Sequence, residues 1–119
     1  MKEIAIVAYN QSKAVSDVGP CNEVELIMPV LAEVFSQAGI NNAQDVDFVC
    51  SGSCDYLQGA AFAFVAGVDA LGAVPPIKES HVEMDAAWAL YESMLKIRMG
   101  HADSALIYGF GKSSPGELP

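Results

Sequence analysis

The chain has 119 residues, of which 52% are hydrophobic and 18% charged, which excludes a disordered polypeptide and fits one domain or a piece of a larger one. The 15 Asp and Glu against 6 Lys and Arg give a net charge of −9. Such a surface repels phosphate backbones and anionic lipid headgroups, so neither nucleic-acid binding nor membrane attachment through a basic patch is expected.

The longest apolar run, "AAFAFVAGV" from Ala60 to Val68, is too short to span a bilayer. The N-terminus, "MKEIAIVAYNQ", lacks a secretory hydrophobic region and a cleavage site, and a cytoplasmic location is expected. The three cysteines, Cys21, Cys50 and Cys54, are an odd number without a secretory context, so no disulfide framework is expected. The Cys50-x-x-x-Cys54 spacing is not that of a zinc knuckle, and no second pair completes four ligands. All three read as small buried hydrophobes.

In chain order, "EIAIVAY" (Glu3 to Tyr9) predicts a buried strand, followed by the turn-rich loop "NQSKAVSDVGP". Asn22 offers an N-cap, with Glu23 and Glu25 where the helix dipole favours anions. Ile27, Val30, Leu31, Val34, Phe35 and Ala38 follow at helical spacing, and Gly39 ends the helix. Pro29 predicts a kink or a later helix start.

"DVDFVC" (Asp45 to Cys50) predicts a second strand and "SGSCDY" a loop. Residues 57–71 predict a helix weakened by Gly59 and Gly67. "PPIKESHVE" predicts a third strand. "DAAWALYESMLKIRMG" predicts a helix capped by Asp85, with Trp88, Leu90, Tyr91, Met94, Leu95 and Ile97 as its apolar residues and Gly100 as its stop. Trp88 and Tyr91, three apart, read as core. "DSALIYGF" (Asp103 to Phe110) predicts a fourth strand, before a loop-like tail. The order β-α-β-α-β-α-β, without repeat or linker over 1–119, predicts an α/β fold with a layered sheet. In such sheets ligands gather beyond the C-terminal ends of the strands, where His81, Glu83 and Asp85 lie.

Four stretches carry a resemblance to a known family: "KEIAIVAYNQSK", "LAEVFSQAGINNAQDVDFV", "HVEMDAAWALYE" and "GHADSALIYGFGKSS". Together they resemble the N-terminal half of the thiolase superfamily, most closely its lipid-transfer, sterol-carrier branch. The resemblance implies a layered thiolase-like fold in which this chain is a partial N-terminal domain, and acyl-CoA or lipid-derived thioesters as substrates. No tightly bound cofactor is implied beyond coenzyme A as part of the substrate. In the family the third strand ends in a Cys-(Ala/Ser)-(Ser/Thr)-Gly turn, with the Cys at a helix N-terminus whose dipole lowers the thiol pKa. Counted back without gaps from Gly109-Phe110-Gly111-Lys112, the matching position is Glu83, followed by Met84, Asp85 and Ala86. No cysteine lies in the segment, so a thioester intermediate there is excluded.

Two readings of this position follow. In one, Glu83 acts as a general base or acid, with His81 beside it on the same side of the strand, in aldolase-like or condensing chemistry that moves protons. In the other, Asp85 caps the helix, Glu83 is paired with His81, Lys78 or backbone N–H groups, and the chain is a non-enzymatic acyl-CoA or lipid carrier or scaffold. His81, Glu83 and Asp85 match no named metal motif. The resemblance also places Ser51, Gly52 and Ser53 near a dimer interface. It stops at Pro119, before the family's second half, so the chain is expected to be a fragment or one subunit of a split enzyme, working as a homodimer or as a hetero-complex with a C-terminal thiolase half. An uncovered apolar face is expected with it.

Overall fold

The computed structural model describes residues 2–72 and 78–112. The first helix, α1, spans Glu23–Ala38. It begins at Asn22 because the side chain of Asn22 accepts the Glu25 N–H while the Glu25 carboxylate accepts the Asn22 N–H, a reciprocal capping box. That pair fixes the first turn, so the helix runs through Pro29, at an exposed position, rather than starting after it. It ends at Gly39, and the Ile40 N–H closes the last turn on the Phe35 carbonyl. Ile27 and Leu31 form its buried row.

A short 3-10 turn, Ala43–Asp45, leads into strand β1, Phe48–Gly52. The strand therefore starts three residues later and ends two later than the apolar run, and Ser51 and Gly52 belong to it rather than to a loop. The expected helix over 57–71 is divided into α2 (Asp55–Gln58) and α3 (Phe64–Ala70). Gly59 is the break: its φ of +67° is left-handed backbone that glycine adopts without a Cβ penalty. Strand β2 is Glu79–Val82, and the front of the expected strand, residues 75–77, lies outside the described residues. Helix α4 is Ala86–Arg98, and strand β3 is Ala105–Gly109.

The three strands form one parallel sheet in the order β2-β1-β3. Because β1 is central, both of its faces are covered, and every residue from Phe48 to Gly52 is buried. One face holds Val49, Leu106 and Tyr108 against Ile27 and Leu31 of α1 and Ala70 and Leu71 at the end of α3. The other holds Phe48 and Cys50 against Ala89 of α4 and Ala102, with Val82, Ile97, Ala105 and Ile107 at its margin. The result is a three-layer α/β arrangement with the core split by the sheet.

Two expectations about apolar segments are corrected. Residues 3–9 form no strand: Ile6, Val7 and Tyr9 are exposed, and the segment is tied by the Lys2–Asp103 ion pair at 2.6 Å and by the Tyr9 N–H to Gln37 at 3.1 Å. An apolar alternation becomes a buried strand only when a sheet edge receives its backbone, and none pairs with this one among the described residues. In α4 the buried residues are Ala89 and Ser93, while Trp88, Leu90, Tyr91 and Leu95 are exposed. Small residues let the helix lie close to the sheet, so Trp88, Leu90, Tyr91 and Leu95 point away from it while Ile97 packs at its margin. Residues 113–119, the end of the loop-like tail, lie outside the described residues.

Candidate functional site

The register of the parallel pairs sets Ser51 beside His81 on one side and beside Tyr108 on the other. Ser51 Oγ and His81 Nδ1 are 3.0 Å apart, and His81 Nε2 and Glu83 Oε2 are 3.2 Å apart. A carboxylate only accepts hydrogen bonds, so Nε2 donates to Glu83; in the neutral imidazole Nδ1 then accepts from the Ser51 hydroxyl. The His81 side chain is mostly buried, and its ring stacks on Phe64 of α3 at 4.7 Å between centroids. Glu83 receives a second donor, the backbone N–H of Asp55 at the start of α2. Its side chain remains 51% exposed, so the carboxylate is both held and open to a ligand.

Asp55 organises the outer wall. Its two carboxylate oxygens accept the Phe62 N–H at 2.7 Å and the Ala63 N–H at 2.9 Å. Phe62 adopts φ +57°, a left-handed conformation that costs about 1 kcal/mol for a residue with a Cβ. The hydrogen bonds to Asp55 hold the turn in that form, and the turn sets Phe64 over the imidazole.

The structure thus brings His81 and Glu83 together, as their alternation on the strand predicts. Asp85 is engaged elsewhere: its Oδ1 accepts the N–H groups of Ala87 at 3.0 Å and Trp88 at 3.2 Å, making it the N-cap of α4. Two of the unpaired donors of the helix terminus are thereby consumed, and the cap's negative charge offsets the dipole. Met84 through Trp88 are exposed. Replacing Asp85 by alanine is expected to lower stability by about 1 kcal/mol in urea unfolding, with replacement by asparagine costing much less.

The helix terminus is seated on two glycines. A Cβ on Gly52 would stand 2.3 Å from the Asp85 carbonyl, and one on Gly109 would stand 2.6 Å from the Ala86 Cβ. The C-terminal ends of β1 and β3 therefore touch the start of α4 almost backbone to backbone. The Ser53 N–H donates to the Val82 carbonyl at 3.2 Å, continuing the β1–β2 ladder up to Glu83.

No cysteine takes part in the Ser51–His81–Glu83 hydrogen bonds, although Cys54, the N-cap of α2, directly precedes Asp55. Cys50 is fully buried on the α4 side of the sheet, the opposite face from Ser51, with its sulfur 3.7 Å from a Glu92 carboxylate oxygen. Burial first, and the Glu92 charge second, push its thiol up to about 12, the reverse of an activated nucleophile. Cys21 and Cys54 are half-buried rather than buried, and all three are free thiols. Among the described residues no group of three His, Cys, Asp or Glu side chains is arranged to hold a metal ion.

Sequence reasoning missed Ser51 and Asp55 as members of this cluster. Ser51 becomes legible once β1 is extended by two residues and paired in parallel with "ESHV". Asp55 carries no signal beyond following a strand. Buried polar groups without a hydrogen-bond partner among the described residues also collect near this end of the sheet: Ser53 Oγ, the Gln58 amide and Tyr108 Oη. No protein-family model matches the chain, and comparison with curated proteins and with solved structures finds no match either.

Proposed function

We propose that this chain is a thiolase-like subunit that binds an acyl-CoA or other lipid-derived thioester and acts on it by proton transfer rather than by covalent acyl transfer. The single observation that supports the reading is the Ser51–His81–Glu83 hydrogen-bond chain, which ends at the C-terminal edge of a parallel sheet in a held but half-exposed carboxylate. Glu83 is the proton acceptor in this reading. His81 and the Asp55 N–H are positioning groups, since each donates to the carboxylate and leaves its remaining lone pairs free. Ser51 is 1% exposed and cannot reach a substrate, so in this reading the chemistry at Glu83 is taking a proton from the carbon beside the thioester carbonyl and returning one. Aldolase-like cleavage and condensation both contain that step. The assembly in this reading is a homodimer or a hetero-complex with a C-terminal thiolase half.

A second reading, a non-catalytic acyl-thioester carrier or scaffold, is favoured by the cap: Asp85 occupies two N–H groups that would otherwise be free to meet a ligand oxygen.

Acetyl-CoA and a 3-ketoacyl-CoA are incubated with the chain in D2O, with the α-proton signal followed by NMR and the protein by intact mass. The expected result is α-proton exchange above the protein-free rate, no covalent adduct, and a loss of about 100-fold in the exchange rate for Glu83→Gln. An acyl adduct on residues 79–90, or an unchanged rate in Glu83→Gln, overturns the proton-transfer reading. Thioester binding without exchange assigns the chain to the carrier reading.

A further inference from the structure

A row of polar side chains crosses the three strands beneath α3. Ser51 of β1 stands between His81 of β2 and Tyr108 of β3, on the face that α1 and α3 cover. One end of the row is complete, since His81 engages both Ser51 Oγ and Glu83. The other end is not. Tyr108 is 8% exposed, and its Oη has no hydrogen-bond partner among the described residues. A Cβ on Gly67 would stand 2.6 Å from that oxygen, so a glycine inside a helix leaves room for a hydroxyl that satisfies nothing in this state.

A hydroxyl can serve an imidazole in either charge state, because it both donates and accepts. Beside the neutral ring, Ser51 donates to Nδ1 and Tyr108 is idle. Beside the imidazolium, Nδ1 donates, the Ser51 oxygen accepts, and the Ser51 proton must turn to another acceptor. At 1% exposure Ser51 is out of reach of solvent. The Tyr108 oxygen is its neighbour across the sheet, and the Ser51 hydroxyl already opposes the burial-driven rise of the phenol, as a donor near that oxygen does.

We propose that Tyr108 is a positioning residue acting through Ser51: its oxygen is the acceptor for the Ser51 proton when His81 takes a second proton, which lets the His81–Glu83 contact become an ion pair as pH falls. Around the imidazole the other titratable groups are Glu79 two residues back on β2, Asp55 of α2 behind Glu83, and Tyr108 itself. From β1 and α3 it meets Ser51 and Phe64, which do not titrate; Cys50 lies on the opposite face and Asp69 of α3 is exposed. The row needs no thioester. Where Glu83 is the base of the preceding reading, an imidazolium 3.2 Å away makes the carboxylate a weaker base, so the row sets the pH below which α-proton exchange fades.

NMR of the imidazole nitrogens, followed across pH in the full chain, tests the proposal. The second of the 2 histidines, His101, is exposed and serves as the internal reference. Tyr108→Phe is expected to weaken binding of the second proton at His81 about tenfold, a midpoint lower by about one pH unit, and to leave His101 unmoved. In a Ser51→Ala background the same Tyr108→Phe change is expected to move neither midpoint, because nothing then links the two rings. Urea unfolding gives a second readout. The gain in stability from Tyr108→Phe is expected at about pH 8 and is expected to vanish at about pH 5, because the folded variant binds the His81 proton less readily than the wild type. A His81 midpoint that stays in place in Tyr108→Phe, one that moves equally in the Ser51→Ala background, or a stability gain equal at both pH values overturns the proposal. No thioester enters these measurements, so their failure and a failure of α-proton exchange are told apart.

Discussion

Gly52→Ala is expected to destabilise the chain by about 3 kcal/mol in urea unfolding, a large share of the stability of a small domain. The added Cβ would meet the Asp85 carbonyl carbon and oxygen at 2.3 Å and the Ala86 nitrogen at 2.8 Å. These are backbone atoms at a helix cap, so no side chain can rotate away, and the start of α4 must lift from the end of β1. Gly109→Ala provides the contrast, because its closest encounter is with the Ala86 Cβ at 2.6 Å, a methyl group that can be removed. Adding Ala86→Gly is therefore expected to recover part of the Gly109→Ala loss and almost none of the Gly52→Ala loss. The two cycles differ in their coupling energy, and equal couplings would show that the helix is not seated as described. Lifting α4 also moves the chain segment that carries Glu83, so Gly52→Ala is expected to affect the site even where the fold survives.

The same close seating explains which parts of the fold were readable in the sequence. Helix ends were readable because their chemistry is local. Asn22 and Glu25, Gly39, Asp85 and Gly100 act within one turn of where they stand, and the helices begin and end beside them. Strand existence was readable for "DFVC", "ESHV" and "ALIYG", but not for "EIAIVAY", whose apolar residues are as regular and yet exposed. Strand formation is a property of an edge that receives the backbone, and an edge is not written in the segment itself. The direction of α4 was misread for a related reason. Counting large apolar side chains selects Trp88, Tyr91 and Leu95 as the inner face, whereas the packing selects Ala89 and Ser93 because only small side chains fit so near the sheet. The Ser93 hydroxyl is satisfied by its own helix, donating to the Ala89 carbonyl at 2.9 Å, so burying it is inexpensive.

At the site, His81 and Glu83 were readable as a pair because a strand's period of two puts them on one side. The role of Asp85 as a cap was readable from its position before an apolar helix. Ser51 and Asp55 were not, since both reach the pair through the neighbouring strand and the loop after it. Their contribution comes from register, which a sequence without a known partner strand leaves open.

Alkaline pH is expected to destabilise the chain in two separable steps. Burial, with the Glu92 charge added, raises the Cys50 thiol from its ordinary 9.0 to about 12. Burial raises the Tyr108 phenol from 10.0 to about 12, with the charges of Glu79 and Cys50 adding to it and the neighbouring Ser51 hydroxyl opposing it without forming a hydrogen bond of good geometry. Both groups hold their protons longer when folded. Above pH 9.0 the unfolded chain has lost the Cys50 proton while the folded chain keeps it, so the unfolded state binds fewer protons and stability falls as pH rises. Each group adds a slope of up to about 1.4 kcal/mol per pH unit between its unfolded and folded values. Cys50→Ala is expected to remove the slope that begins near 9.0, at the cost of a small cavity that shifts the whole curve without tilting it. Tyr108→Phe is expected to remove the slope that begins near 10.0 and to raise stability at neutral pH by about 1 kcal/mol, because it deletes a buried hydroxyl that lacks a partner. Urea midpoints measured from pH 7 to 11 check both. A wild-type curve that stays level across that range, or a Cys50→Ala curve parallel to it, would mean that the thiol is not shielded by α4 and that the sheet's second face is open to water.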